Sequence, residues 1–86
     1  MENNTAKSRF ELPDEGGEVF AEYRMDGERL LVNYVFAAHE LRGSGAAGRL
    51  MQDIVDFAAE QNLTVVPICG YAASWMRRHQ PKEGAP

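Results

Sequence analysis

Leu41-Arg42-Gly43-Ser44-Gly45-Ala46-Ala47-Gly48 is the stretch on which the reading of this chain turns. It follows an apolar, strand-like run and precedes an amphipathic helix. Glycines at that junction allow sharp turns and let the backbone approach another molecule with no Cβ in between. The helix start leaves backbone N–H groups unpaired and carries a partial positive charge. Strand, glycine turn and helix N-terminus together make an anion cradle of the kind that holds phosphate groups.

Upstream of the cradle the pattern is that of strands. Phe10 and Leu12 alternate with polar neighbours between Ser8 and Leu12. Pro13-Asp14-Glu15-Gly16-Gly17 has the composition of a turn. Val19 to Met25 alternates as a half-buried strand does, and Asp26-Gly27 marks a two-residue hairpin of type I′. Arg29 to Phe36, rich in Leu, Val, Tyr and Phe, reads as a more central strand. Downstream, a helix is predicted from Gly45 to Gln61. Leu50, Ile54, Phe57 and Ala58 share its buried face, with Arg49, Gln52, Asp53, Asp56 and Glu60 opposite. Asn62 is its stop signal. Leu63 to Ile68 is a short buried strand with Pro67 near its end, and a last helix runs from Ala72 to about His79.

The order βββ-α-β-α defines an α+β domain: an antiparallel meander, then a helix crossing over to a strand parallel to the third. Splaying of that parallel pair would open a groove beside the glycine turn, with a free strand edge for an extended ligand.

Composition bounds the rest. A chain of 86 residues makes one domain with a modest core, expected over residues 8–81, with flexible ends at 1–7 and 82–86. A net charge of −4 argues against nucleic-acid binding, which wants a basic face. The single cysteine, Cys69, excludes an internal disulfide and any site built from several thiolates. His39 and His79 lack metal-ligand spacing, so no metal is expected. No apolar run approaches the roughly 20 residues of a membrane span, and the polar start, Met1 to Lys7, has no signal-peptide core. A cytoplasmic protein is the expectation.

Arg42-Gly43-Ser44-Gly45-Ala46-Ala47 fits Arg/Gln-x-x-Gly-x-Gly/Ala and resembles the pyrophosphate loop of the GNAT superfamily of N-acetyltransferases. Pro67-Ile68-Cys69-Gly70-Tyr71, followed by Trp75-Met76-Arg77-Arg78-His79, is similar to the ending of the very small, single-domain GNAT-like proteins. The resemblance covers roughly residues 18 to 79. It implies acetyl-CoA or coenzyme A as cofactor. Backbone N–H groups from Gly43, Ser44, Gly45, Ala46 and Ala47 would bind the pyrophosphate, with Arg42 holding the loop or touching the diphosphate. Phe36 and Ala37 would pair with the pantetheine arm. Cys69 would lie near the thioester, as acetylated thiol or pocket wall, and Tyr71 would close the far wall or protonate the departing thiolate. The chain departs from the family at Tyr34-Val35, where relatives often carry His-Thr, at Ala38-His39, where they often have prolines, and at Gln80, between His79 and Pro81.

The function implied is acetyl transfer to an unknown primary amine by direct attack on the thioester. The alternative is a CoA or acyl-CoA binding or sensor module without turnover, since little chain is left over to build an acceptor site. The partners expected are acetyl-CoA and the amine, in a monomer or weak homodimer. Nucleotide folds fit less well: the P-loop spacing is missing, and the glycines follow an antiparallel meander where a dinucleotide fingerprint needs a parallel βαβ unit.

Overall fold

The computed structural model of the chain describes residues 1–79. Strands β1 (Glu2–Asn4), β2 (Arg9–Glu11), β3 (Val19–Asp26) and β4 (Arg29–Ala37) precede helix α1 (Ala46–Glu60), strand β5 (Thr64–Pro67) and helix α2 (Gly70–His79). They form one sheet in the order β1-β2-β3-β4-β5, antiparallel up to β4 and parallel between β4 and β5. The α+β class and the parallel last pair agree with the sequence reading.

The meander has one strand more than expected. Residues 1–7, expected as a flexible end, carry a strand and a turn: Glu2–Asn4 pairs with β2, and Thr5–Lys7 makes a 3₁₀ turn. Asn4 accepts the Lys7 N–H at 3.3 Å and donates to Glu11 at 3.1 Å, while Tyr23 Oη donates to Asn3 at 2.7 Å. The polar residues that made the segment look disordered are the ones that fasten it. The expected flexible C-terminus, 82–86, lies outside the described residues.

The hairpin between β3 and β4 is also displaced by one residue. Asp26 pairs with Arg29, so the loop is Gly27-Glu28. Only Gly27 has positive φ, at +61°, which is the pattern of a type II′ turn with glycine first.

Helix α1 buries Ala46, Leu50, Met51, Ile54 and Ala58 on the sheet. Phe57, expected among them, is half-buried and meets Phe10 edge-on at 5.4 Å. The helix stops as expected at Asn62, in the left-handed region at φ +58°. Leu63 N–H returns to Ala58 C=O at 2.8 Å and Asn62 N–H to Ala59 C=O at 3.3 Å, the paired bonds of a Schellman ending. From α2, Ala72 and Trp75 complete the core, joining Phe10, Val19, Leu30 and Val32 from the sheet.

One irregularity shapes everything near the glycine loop. Glu22 pairs with Tyr34 but Tyr23 pairs with Val32, leaving Asn33 as an extra residue on β4. Such a bulge reverses the alternation of the strand. Leu30 and Val32 face the core before it, and Val35 and Ala37 pack against the same core after it.

Candidate functional site

The site is a notch where the sheet comes apart. β5 ends at Pro67, opposite Val32, while β4 runs on to Ala37. Val32 C=O is the last β4 group to be met from that side, accepting Ile68 N–H at 2.9 Å and Cys69 N–H at 3.2 Å. Beyond the bulge, Ala38 N–H donates to Glu18 C=O at 2.7 Å, a rung of the β3–β4 ladder. Alternation along an antiparallel strand then gives the neighbouring rungs to Phe36 and Tyr34. The N–H and C=O of Val35 and Ala37 point the other way, into the gap that β5 has vacated.

At the end of the notch stands the glycine loop. Gly43 and Gly45 have φ of +86° and +88°, a region that side chains disfavour. Their conformation sorts the loop's N–H groups into two sets. Ser44 N–H bonds to Leu41 C=O at 3.1 Å, and Ala46 N–H to Ser44 Oγ at 3.2 Å. The first bond of α1 runs from Arg49 N–H to Gly45 C=O. The N–H groups of Gly43, Gly45, Ala47 and Gly48 thus have no acceptor among the described residues. The same four residues line a cavity of about 560 Å³.

That cavity brings together most of the expected site: Phe36, Ala37, Arg42, Gly43, Gly45, Ala47 and Tyr71. Three expected residues are not on its wall. Ser44 turns its hydroxyl to Leu41 C=O at 2.6 Å, and Ala46 is fully buried in the core. Cys69 is half-buried, with Sγ accepting the Ala72 N–H at 3.3 Å, so the thiol caps the start of α2. Tyr34, Val35, Leu41 and Gly48 line the cavity without having been singled out as site residues. The bulge puts Tyr34 and Val35 there, and nothing in a strand that is apolar on both faces announces an extra residue.

Arg42 donates from Nε to Ala37 C=O at 3.3 Å, tying the loop to the end of β4. Arg49 braces the loop from outside, donating to Ser44 C=O at 3.3 Å and pairing with Glu15 at 2.6 Å. Tyr71 lies over the first turn of α1, its hydroxyl 3.8 Å from where a side-chain carbon on Gly48 would stand. Burial pushes its phenol above the ordinary tyrosine value, against a downward pull from Arg78 and with a small upward one from Cys69. The hydroxyl is therefore a proton donor throughout the neutral range. His79 stacks on Trp75 at 4.1 Å with Nδ1 2.9 Å from its carbonyl oxygen, and His39 is exposed. Neither lines the cavity.

Among the described residues no cluster of His, Cys, Asp or Glu could hold a metal ion, and no helix is long and apolar enough to cross a membrane. Chemically, the site offers converging N–H donors for a diphosphate, a free strand edge for an amide-bearing arm, and a phenol over the first turn of α1. A sequence model of a family described as GCN5-related N-acetyl-transferase matches residues 9–83 of the chain. A comparison with curated proteins found no match.

Proposed function

Since this chain belongs to the GCN5-related N-acetyltransferase family, a family of acyl-transfer proteins, we propose that it binds acetyl-CoA in the notch and transfers the acetyl group to a primary amine. The observation that carries this reading is the set of four N–H groups at Gly43, Gly45, Ala47 and Gly48 that line one cavity and have no acceptor among the described residues. Charge-assisted hydrogen bonds from such donors are the strong ones, and the N-terminus of α1 adds its dipole. From the pyrophosphate, the pantetheine arm runs along β4 and pairs with Val35 and Ala37. The amine lone pair attacks the thioester carbon, and the oxygen that gains charge is held by strand N–H donors. The C–S bond breaks, the sulfur takes a proton from Tyr71 Oη, and the proton shed by the nitrogen returns through solvent to the phenolate. Rate comes mainly from positioning.

Cys69 enters this scheme as a positioning residue, because its Sγ is engaged by the α2 N-terminus that carries Tyr71. Serine caps a helix well, whereas losing a cap costs about 1 kcal/mol. Cys69→Ser is expected to keep most of the turnover and Cys69→Ala to lower it. Intact mass after incubation with acetyl-CoA is the check: an added acetyl group that disappears in Cys69→Ala would make the thiol an acyl carrier instead.

Calorimetry with acetyl-CoA, CoA and ATP tests the cofactor. Acetyl-CoA and CoA should bind and ATP should bind far more weakly, since it lacks the pantetheine arm. No heat from acetyl-CoA at about millimolar concentration, where free energies near −4 kcal/mol would still register, would overturn the reading. Arg49→Met should weaken CoA binding several-fold by releasing the brace on Ser44. Turnover should not fall with rising pH until beyond about pH 10, the ordinary tyrosine range, because burial holds the Tyr71 proton on.

A second reading has one observation in its favour. Among the described residues, no carboxylate or imidazole lines the cavity to take the amine's proton. A CoA-binding or sensor module would need none. Release of free CoA thiol with an amine panel separates the two.

A further inference from the structure

The cavity passes through the sheet. Val35 and Ala37 pack on the α1 side, whereas Tyr34 and Phe36 gather with Phe20 on the opposite face, with ring centroids 6.3 and 5.1 Å from Phe20. All four β4 residues line the same cavity. The glycine loop, with Tyr71 over the first turn of α1, occupies one part of it, so a second substrate has the part lined by Tyr34. Tyr34 and Tyr71 are unusually open for large apolar residues, at 47% and 39% exposure. The wall at Tyr34 is aromatic.

The formal charge on the cavity wall is also one-sided. Arg42 is the charged residue lining it among those described, and Arg78 is near enough to act on Tyr71. An ammonium group therefore meets positive charge and, among the described residues, no carboxylate on the cavity wall. It would also have to lose its proton with no base at hand. At neutral pH only about one lysine amine in a thousand is unprotonated, so a strongly basic acceptor would spend nearly all its time in a form that is both repelled and unreactive. An amine attached to an aromatic ring is wholly neutral there, and its ring stacks on tyrosine with offset or edge-on geometry.

We propose that the acceptor is a weakly basic aromatic amine, seated against Tyr34 on the face of the sheet away from α1. This rests on the acetyl-transfer reading above. The nitrogen lone pair forms the N–C bond and the C–S bond breaks with its electrons going to sulfur. The proton lost by nitrogen ends on CoA: Tyr71 gives its hydroxyl proton to the sulfur and regains one released from the nitrogen through solvent. No oxidant, reductant or further reactant is needed.

The test is the rate of thiol release from acetyl-CoA with four probes: aniline, trifluoroethylamine, a glycine tripeptide and Nα-acetyl-lysine amide. Aniline should exceed the lysine derivative in kcat/KM by about a hundredfold or more, following the difference in neutral fraction, and should also exceed the peptide amine. Trifluoroethylamine, weakly basic but without a ring, should fall between. Tyr34→Ala should raise KM for aniline about tenfold, the size of one aromatic contact, and raise that for trifluoroethylamine much less. Equal or faster acetylation of the lysine derivative or the peptide would overturn the proposal, as would equal losses for both amines in Tyr34→Ala. Calorimetry on the same sample separates the two levels. Acetyl-CoA binding without aniline acetylation refutes the acceptor, and absence of acetyl-CoA binding refutes the reading beneath it.

Discussion

Gly45→Val is expected to abolish acetyl-CoA binding at concentrations that saturate the parent protein. Gly45 is the residue before α1, at φ +88°, and a β-branched side chain in the left-handed region costs about 1–3 kcal/mol. Its Cβ would also stand 3.3 Å from Arg49 Nη1, the group that braces Ser44. The backbone relieves both by leaving the left-handed region, which turns the Gly45 N–H out of the cavity and re-aims those of Ala47 and Gly48. Loss of two charge-assisted hydrogen bonds at about 1.5–3 kcal/mol each weakens binding by a hundredfold or more. Circular dichroism should show the fold intact, since Gly45 is exposed and outside the core. Gly45→Ala, which adds less bulk, should give a smaller loss in the same direction. Affinity within about threefold of the parent in the valine variant, too small a change for even one lost bond, would mean that the loop does not hold the diphosphate.

Leu50→Ala is expected to bring the domain close to unfolding. Leu50 is fully buried in the cluster that joins the sheet to both helices. Emptying such a site costs about 3 kcal/mol, within a range of 2–5. A domain of this length has about 4–13 kcal/mol of total stability, so the loss is a large share of it. Thermal melting should fall by about 12–24 °C. Glu60→Ala, on the exposed side of the same helix, should stay within about 0.5 kcal/mol of the parent. Comparable melting in the two variants would mean that α1 is not packed as described. Because α1 presents the Ala47 and Gly48 N–H groups, residual folded Leu50→Ala should also bind CoA less well.

Much of the domain is legible in the sequence, and the legible parts share a cause. The spacing of Leu50, Ile54 and Ala58, the stop at Asn62, and the glycines after the β4 strand each depend on residues a few positions apart. Local rules apply to them with little interference. The N-terminal strand was missed because Glu2, Asn3 and Asn4 gain their order from Arg9, Glu11 and Tyr23, which composition cannot see. The hairpin was misplaced by one residue because Asp26-Gly27 and Gly27-Glu28 are both good turns. The register with Arg29 chose between them.

The site divides along the same line. Phe36, Ala37, Arg42, Gly43, Gly45, Ala47 and Tyr71 were expected and meet at one cavity. Cys69 was expected there for its thiol chemistry, but the nearest unpaired donor, the Ala72 N–H at the start of α2, claims its sulfur. Tyr34 and Val35 stood out only as departures from the family pattern, and they line the same cavity as the loop.

Short-range pattern alone settles that a strand, a glycine loop and an amphipathic helix follow one another. Positive φ and a 3.6-residue period are properties of short segments and need no distant partner. Long-range packing sets which N–H groups of the loop lack acceptors among the described residues, where the sheet opens, and what faces the opening. Those depend on Asn33 being squeezed out of register, on β5 ending at Pro67, and on α2 returning Tyr71 to the first turn of α1. Each joins residues far apart in the chain, and packing, not local preference, sets their geometry.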